Sequence, residues 1–380
     1  MLYPDRMAFT EFDRAMMRRA LALAEQGRGY VSPNPLVGCV IVNSEGEVMG
    51  EGLHLRFGGP HAEANAVADA EAKGHSLSGA TVYVTLEPHA HESKTPPCTK
   101  VLIEKGIAKC VVAMEDPNPK VSGAGIRELG AAGIEVQAGL LEAEARELNR
   151  FFIKHISTGV PFVTLKLGLS IDGRSALGNG TSKWITSEAS RAKVHELRAE
   201  HDAVLVGTRT ASMDDPALTV RFVNGRQPLR IVLDARLELR RSLKLFSDEH
   251  ASRTIVLTSA TAAEKDGAWF RERNIELIEV EKIDGAIDLK GSLARLGARG
   301  VGSVLVESGG TLAASFVKER LFDELIVFYG PLVLGSDALP AVGPLHLTDL
   351  SHGARLSLFH FERMEGTDDL MMRFRPSKNS

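Results

Sequence analysis

Short β-rich runs alternate with helical segments along this chain, and that alternation constrains its fold more than any other feature. In the first half, LVGCVIVN and TVYVTLEP are typical of strands, whereas residues 11–26 and 61–74 have helical spacing or helix start and stop signals. Residues 142–157 are predicted to form one further helix. Strands that alternate with helices predict an α/β layered domain over residues 1–156.

The second half repeats the alternation with different segment lengths. PFVTLKLGLS at 161–170 and SVLVESGG at 303–310 are predicted strands, and SEASRAKVHELRAE at 187–200 is a predicted helix. The intervening STGVP interrupts the pattern, so we expect a second α/β domain over residues 157–380. A chain of 380 residues has room for two or three domains of about 150 residues each. The pattern favours two.

Charge and composition exclude several classes of protein. Lys and Arg total 45 against 49 Asp and Glu, so no basic excess exists to drive general binding to nucleic acid or an anionic membrane. No stretch approaches about 18 uncharged apolar residues, and charged side chains interrupt the N-terminal segment where a signal peptide needs its apolar core. The three cysteines are an odd, widely spaced set, which fits a reducing compartment. We therefore expect a cytoplasmic protein.

One set of residues has the spacing of a zinc site. His61 and Glu63 open a predicted helix as H-x-E, and Pro-Cys at Cys98 opens the next one after a strand. This pattern is the signature of zinc deaminases that act on nucleobases, in which a non-ligand Glu moves protons. His61 is then a ligand, Glu63 the acid/base and Cys98 a thiolate ligand. Taken separately, the H-x-E would be a helix cap with solvated charge, and Cys98 a buried apolar residue like Cys39 and Cys110.

A second set lies where a predicted strand enters a helix, at Glu307, Gly309, Gly310 and Thr311. Backbone N–H groups at such a helix start can hold a phosphate, and glycine lets the phosphate approach closely. A tight strand–helix turn needs glycine even where no phosphate binds, however. The segment is also not the G-x-G-x-x-G of dinucleotide-binding domains.

Longer segments resemble a known family, the bifunctional riboflavin-biosynthesis enzymes in which a pyrimidine deaminase is fused to a reductase. Those of the deaminase half are PNPLVGCVIV, GGPHAEANAV, VTLEPHAHESKTPPC and DPNPKVSGAGI. Those of the reductase half are LKLGLSIDGR, TSKWITS and TRTASMDDPALTVR. The resemblance covers nearly the whole chain. It implies a cytidine-deaminase-like α/β/α domain followed by a dihydrofolate-reductase-like α/β domain.

The resemblance also implies site residues in the deaminase half, with one departure. The family normally has Cys where this chain has His89, which gives His61, His89 and Cys98 as the expected zinc ligands. Imidazole is a good zinc ligand, and His91 is a neighbouring second candidate. Asn34 lies between two prolines, where its role is either turn chemistry or, as the resemblance implies, a contact to the pyrimidine or ribose.

For the reductase half, the resemblance implies one cleft that holds NADPH and a ribosylamino-pyrimidine phosphate. The residues that would contact the cofactor are Leu169, Trp184, Thr210, Asp214, Gly309, Gly310 and Thr311. Those that would contact the substrate are Ser182, Arg198, Leu218, Arg221 and Glu307. Guanidinium groups such as those of Arg198 and Arg221 suit a phosphate, although isolated arginines are usually solvated. Lys166 and Glu307 are candidates for proton transfer.

The sequence thus predicts a bifunctional enzyme. Its first domain would hydrolytically deaminate a 2,5-diamino-6-ribosylamino-pyrimidinone 5'-phosphate with Zn²⁺, and its second would reduce the ribosyl group to ribityl with NADPH. Two alternatives remain open at this stage. One is a reductase whose deaminase domain is impaired by His89, and the other is a nucleic-acid-editing deaminase with an accessory module. We expect small-molecule substrates, no nucleic-acid or membrane partner, and a homo-oligomer.

Overall fold

The structure, a computed structural model, describes residues 9–91, 96–119 and 121–377. Its contacts divide the chain into two compact units, the first ending at Thr158 and the second beginning at Gly159. The helices of the first unit are α1 (Glu11–Glu25), α2 (Ala62–Ala72), α3 (Cys98–Glu104), α4 (Ala124–Ala131), α5 (Glu142–Leu148) and α6 (Arg150–Thr158). Its strands are β1 (Gly38–Val42), β2 (Val48–Leu53), β3 (Thr81–Val84), β4 (Lys109–Val112) and β5 (Glu135–Ala138).

A single mixed sheet organises the described part of the first unit, with strand order β2-β1-β3-β4-β5. β1 is antiparallel to β2 and to β3, whereas β3, β4 and β5 run parallel. α2 lies so close to β2 that a Cβ at Gly52 would collide with the carbonyl oxygen of Ala62. Cys39 and Cys110 are fully buried in the sheet, as predicted. The close packing of α2 fixes where its first turn lies.

The single helix predicted over residues 142–157 is wrong, because the chain forms two helices that meet at Asn149. The Asn149 side chain is buried and forms two hydrogen bonds with one distant residue. Its Oδ1 accepts from the amide of Leu36 at 2.8 Å, and its Nδ2 donates to the Leu36 carbonyl at 2.9 Å. This tertiary contact fixes the chain where the helical pattern alone would continue.

The second unit has helices and strands over its whole length. The helices are α7 (Glu188–Glu200), α8 (Thr208–Asp214), α9 (Lys244–Ser247), α10 (Ala260–Asp266), α11 (Ala268–Arg271), α12 (Leu289–Ala298) and α13 (Gly310–Lys318). The strands are β6 (Phe162–Ser170), β7 (Arg174–Ala176), β8 (Ala203–Gly207), β9 (Leu229–Leu233), β10 (Thr254–Thr258), β11 (Glu276–Glu279), β12 (Lys282–Ile283), β13 (Ala286–Ile287), β14 (Ser303–Glu307), β15 (Glu324–Gly330), β16 (Leu339–Pro340), β17 (Leu356–Arg363) and β18 (Leu370–Pro376).

Within the described residues, nine of these strands form one sheet in the order β11-β10-β9-β8-β14-β6-β15-β18-β17. The strands from β11 to β15 in this order are parallel, and β18 and β17 complete the sheet as antiparallel strands. Successive residues of β14 belong to different clusters of buried apolar residues: Val304 belongs to one and Leu305 to another. The carboxyl ends of β6, β8 and β14 lie at one edge of the sheet, where ligands of open α/β sheets usually bind.

Candidate functional site

The three predicted zinc ligands converge in the first unit. His61 is the residue that precedes α2, His89 lies in the loop after β3, and Cys98 is the first residue of α3. One potential ligand atom from each residue lies within 4.8 Å of the others. The Cys98 Sγ is 3.1 Å from His89 Nδ1 and 3.4 Å from His61 Nδ1. Two helix starts and one loop, distant in sequence, therefore present their donor atoms to a common point.

This donor set fits zinc. Two imidazole nitrogens and a thiol sulfur are ligands that Zn²⁺ prefers, and three protein ligands leave the fourth tetrahedral position for water or substrate. The exposed His91 has its ring centroid 5.4 Å from that of His89 and does not belong to the cluster of three. Residues 92–95, which belong to the VTLEPHAHESKTPPC segment, lie outside the described residues.

Glu63 lies beside the cluster and is almost completely buried. Burial raises the pKa of its carboxyl above the ordinary value, although a hydrogen bond from the Cys98 thiol acts in the opposite direction. Burial and the nearby Glu63 carboxylate also raise the pKa of the Cys98 thiol. A cation held at the cluster would favour the Cys98 thiolate instead, because a positive charge stabilises the deprotonated sulfur.

Asn34 is held by a residue that the sequence analysis missed, His54. The His54 Nδ1 lies 2.9 Å from the carbonyl oxygen of Pro60, which only accepts, so Nδ1 carries the proton. The Nε2 of His54 is then an acceptor for the Asn34 Nδ2, 3.0 Å away. This assignment leaves the Oδ1 of Asn34 as the acceptor available to a ligand. The His54 ring is in turn 5.5 Å from the His61 ring, which links Asn34 to the cluster.

In the second unit, Glu307 at the end of β14 is the centre of a buried ion cluster. The Arg198 Nε and Nη2 donate to its two carboxylate oxygens at 2.5 and 3.0 Å, and the Lys166 Nζ is 3.3 Å away. β14 pairs with β6 so that Glu307 lies opposite Lys166. Burial acts to raise the pKa of Glu307, but Arg198 and Lys166 outweigh it and hold that pKa well below its usual range. The carboxylate is therefore ionised at neutral pH.

The two arginines predicted to contact a phosphate differ in their surroundings. The Arg198 guanidinium is buried, and besides Glu307 it donates to the carbonyl of Thr219 at 3.0 Å. Arg221 is exposed, and its Nη1 donates to Thr219 Oγ1 at 3.0 Å. The backbone amide of Arg221 donates to the Nδ1 of His195, and burial is the main reason why the pKa of His195 falls to about 4. The neighbouring Leu218 is buried.

The predicted cofactor contacts lie on three segments of the second unit. Thr210 and Asp214 are on α8, a short helix that the sequence analysis did not predict. Gly309 precedes α13, which begins at Gly310 and Thr311 as predicted, and a Cβ at Gly309 would be 3.6 Å from Thr210 Oγ1. The structure therefore brings α8 and the glycine turn together.

The remaining predicted residues lie on β6 and on one loop. Leu169 is buried near the end of β6, and the loop after β7 contains Ser182 and Trp184. The Trp184 ring is 67% exposed and lies 4.2 Å from the Arg191 guanidinium carbon. Burial raises the pKa of Asp214, while the charges of Lys183 and Lys166 oppose that rise.

The described helices include none that is both long and apolar enough to cross a membrane.

Comparison with known proteins gives two family matches. Residues 10–114 match the family described as the cytidine and deoxycytidylate deaminase zinc-binding region, and residues 161–366 match the RibD C-terminal domain. The riboflavin biosynthesis protein RibD of Aquifex aeolicus is 41% identical over 368 residues, covering 96% of this chain and 99% of the relative. Its Escherichia coli counterpart is 42% identical over 339 residues, covering 86% and 89%.

Solved structures give the same result. The Acinetobacter baumannii RibD superposes with a TM-score of 0.87 at 35% identity, covering 97% of this chain and 99% of that one. A diaminohydroxyphosphoribosylaminopyrimidine deaminase/5-amino-6-(5-phosphoribosylamino)uracil reductase from Thermotoga maritima superposes with a TM-score of 0.86 at 37% identity, covering 96% and 99%. These matches confirm the predicted pair of folds. The chain belongs to the RibD family of riboflavin biosynthesis proteins, bifunctional enzymes that join a zinc-dependent deaminase domain to an NADPH-dependent reductase domain.

Proposed function

We propose that this chain deaminates a 2,5-diamino-6-ribosylamino-pyrimidinone 5'-phosphate and then reduces the ribosyl group of the product to ribityl. Residues 1–156 would form the deaminase domain and residues 157–380 the reductase domain. The observation that carries the proposal is the convergence of His61, His89 and Cys98 beside a buried Glu63. A reductase with an impaired deaminase domain is not favoured, because His89 supplies a donor atom at the common point.

His61, His89 and Cys98 would hold zinc in the deaminase domain. When bound there, the ion supplies Lewis acidity that makes water nucleophilic near neutral pH. Glu63 would take a proton from that water and deliver it to the amino group, which then leaves as ammonia. Its burial beside Cys98 and its raised pKa suit a group that must bind a proton and release it again. Asn34 would accept a hydrogen bond from the substrate, because its amide nitrogen is already directed at His54.

The reductase domain would act mainly by holding NADPH and the ribosyl group close together and aligned. Hydride transfer needs this proximity and alignment and requires no protein nucleophile. Lys166 would be the proton donor, and ionised Glu307 would fix its position. Cofactor contacts are assigned to Leu169, Trp184, Thr210, Asp214, Gly309, Gly310 and Thr311. Substrate contacts are assigned to Asn34 in the first domain and to Ser182, Arg198, Leu218, Arg221 and Glu307 in the second.

The exposed Arg221 is the better candidate for the phosphate itself. Arg198 already forms hydrogen bonds with Glu307 and Thr219, so it would shape the pocket around the substrate.

Separate steady-state assays with each intermediate test the two activities. In the Glu63→Ala variant we expect ammonia release to fall by a factor of about 10² to 10⁴, while NADPH oxidation with the deaminated intermediate continues at the wild-type rate. Unchanged ammonia release would refute the role of Glu63. Loss of both activities would instead indicate that the variant is misfolded, which zinc content and circular dichroism would reveal.

We also propose that the enzyme is cytoplasmic and forms a homo-oligomer. The three cysteines are all free thiols, which suits a reducing compartment. β17 is the outermost strand of its sheet and exposes 46% of Leu358 and 69% of Phe361. Antiparallel pairing of β17 with its copy in a second chain would give a closed, twofold-symmetric dimer. Sedimentation tests the dimer: we expect a dimeric wild type and a monomeric Phe361→Glu variant. A monomeric wild type would contradict the proposal.

A further inference from the structure

The buried carboxylate of Glu87 forms an unusual number of contacts for a residue outside the metal cluster. Glu87 follows β3, two residues before His89, and is only 5% exposed. Its Oε2 accepts from the amides of Asp116 at 3.0 Å and Gly123 at 2.9 Å. Its Oε1 accepts from the amides of Gly125 at 2.8 Å and Ile126 at 3.3 Å. One side chain therefore gathers four backbone amides, those of Asp116, Gly123, Gly125 and Ile126.

Three of these amides belong to the start of α4. The first N–H groups of a helix have no acceptor within the helix, and a nearby carboxylate is further stabilised by the helix dipole. The residue before α4, Gly123, has no side chain that could cap the helix. The cap is instead supplied by Glu87, from a different element. A Cβ at Gly125 would collide with the carbonyl oxygen of Pro88, so the helix start and the turn before His89 are in direct backbone contact.

The segment held in this way borders the metal cluster. The amide of Glu87 donates to the carbonyl of Met114 at 3.0 Å, which joins the end of β4 to the turn before His89. Thr99, next to Cys98 at the start of α3, donates from its Oγ1 to the Oε2 of Glu128 on α4 at 3.0 Å. The same segment has the sequence DPNPKVSGAGI.

We propose that Glu87 is a positioning residue of the deaminase site. Its carboxylate fastens the segment around Asp116–Gly123 to the turn that carries His89, and this segment forms a wall of the pyrimidine site. Glu87 is not a member of the ligand cluster of the described residues, so it acts through this segment. This inference rests on the proposed deaminase function.

The test compares full-length, zinc-loaded wild type with Glu87→Gln, Glu87→Asp and the control Glu104→Gln. Gln has the size of Glu, but its NH₂ group would face backbone donors where an oxygen now accepts. Glu104 is an exposed residue of α3 in the same unit. In Glu87→Gln we expect the KM for deamination to rise about tenfold or more, with a smaller change in kcat. Zinc content and reductase activity should equal those of the wild type. Glu87→Asp, which keeps a carboxylate, should recover part of the loss.

A second measurement does not depend on substrate. Hydrogen exchange should become at least about tenfold faster at the amides of Asp116, Gly123, Gly125 and Ile126 in Glu87→Gln, while exchange in α2 stays unchanged. Unchanged exchange at those amides, or an unchanged KM, would overturn the positioning role. A uniform loss of zinc, of both activities and of exchange protection would overturn it as well, in favour of a general structural role. If the wild type released no ammonia, the proposed function would fail, and the exchange measurement would still decide whether Glu87 holds the segment.

Discussion

The Nε2 of His54 accepts a hydrogen bond from the Nδ2 of Asn34 at 3.0 Å, and this contact fixes which end of the Asn34 amide faces a ligand. The orientation depends on the His54 proton, which the Pro60 carbonyl holds on Nδ1. A substrate that donates a hydrogen bond to Asn34 is therefore favoured, as an aminopyrimidine would do.

Replacing His54 by Leu should raise the KM for deamination about tenfold, because Asn34 loses the acceptor that orients its amide. In His54→Gln, the side-chain oxygen can take the place of Nε2, so the loss should be smaller. Steady-state ammonia release gives both values, and reduction by NADPH should be unaffected. His75→Leu, at an exposed position in the same unit, is the control. Equal KM values for the Leu and Gln variants would contradict this account of Asn34.

We expect variants of two neighbouring histidines to differ in their affinity for zinc. His89→Ala removes one of three donor atoms that lie within 4.8 Å of each other, so zinc affinity should fall at least about 100-fold. His91→Ala should keep one zinc per chain, because His91 lies outside the cluster. Elemental analysis after dialysis, together with competition by a chromogenic chelator, measures both. Equal retention by the two variants would show that His89 is not a ligand.

The ion cluster at Glu307 should contribute strongly to the stability of the second unit. In Glu307→Gln, the side chains of Arg198 and Lys166 lose their buried counter-charge, which costs about 3–5 kcal/mol in the free energy of unfolding. Both tryptophans, Trp184 and Trp269, belong to the second unit, so tryptophan fluorescence during urea unfolding reports on that unit alone. The exposed pair Arg236–Glu238 supplies the control, and Glu238→Gln should change the free energy by less than about 0.5 kcal/mol.

The ion cluster at Glu307 also makes the free energy of unfolding depend on pH. The pKa of Glu307 is lower in the folded chain than its ordinary value of 4.5. Below pH 4.5 the unfolded chain therefore binds a proton that the folded chain does not, and folding loses stability as the pH falls. The contribution is complete above pH 4.5 and declines below it. The difference in stability between wild type and Glu307→Gln should shrink as urea unfolding is repeated below that pH, and a constant difference would exclude this origin.

The contact between Asn149 and Leu36 should stabilise the first unit. Asn149→Ala leaves the amide and carbonyl of Leu36 without their buried partners, which costs about 1–3 kcal/mol. Amide hydrogen exchange resolves the effect, because protection should fall at residues 36–38 and in α5 and α6. Unchanged protection there would mean that water replaces the side chain at little cost.

Short sequence patterns were sufficient to predict those features that depend only on neighbouring residues in the chain. The start of α2 after His61, the start of α3 at Cys98 and the glycine turn before α13 were all predicted from short patterns. The strands β1, β3, β6 and β14 were recognised from their apolar runs, which are buried in the sheets. The deaminase and reductase folds were expected from the resemblance of continuous segments to a known family.

Residues that act through distant partners were missed or incompletely understood. Glu87 and His54 gave no local signal, because a buried Glu or His can be recognised only from the groups around it. Arg198 stays a predicted substrate contact, but its hydrogen bonds to Glu307 and Thr219 had no signal in the sequence. The break at Asn149 was not visible in a pattern that is helical on both sides.

The sequence by itself thus determined two successive α/β domains and the candidates His61, Glu63 and Cys98, because these depend on periodicity and on short motifs. The identity of the two folds and the role of His89 came from the resemblance to a known family. Only the tertiary structure decided that the three ligand atoms converge, that Asn34 is oriented by His54, and that Glu87 caps the distant helix α4. The physical reason is that hydrogen bonds and ion pairs depend on atomic positions in space. Those positions are set by how the sheets and helices pack, and residues far apart in the chain become neighbours only then.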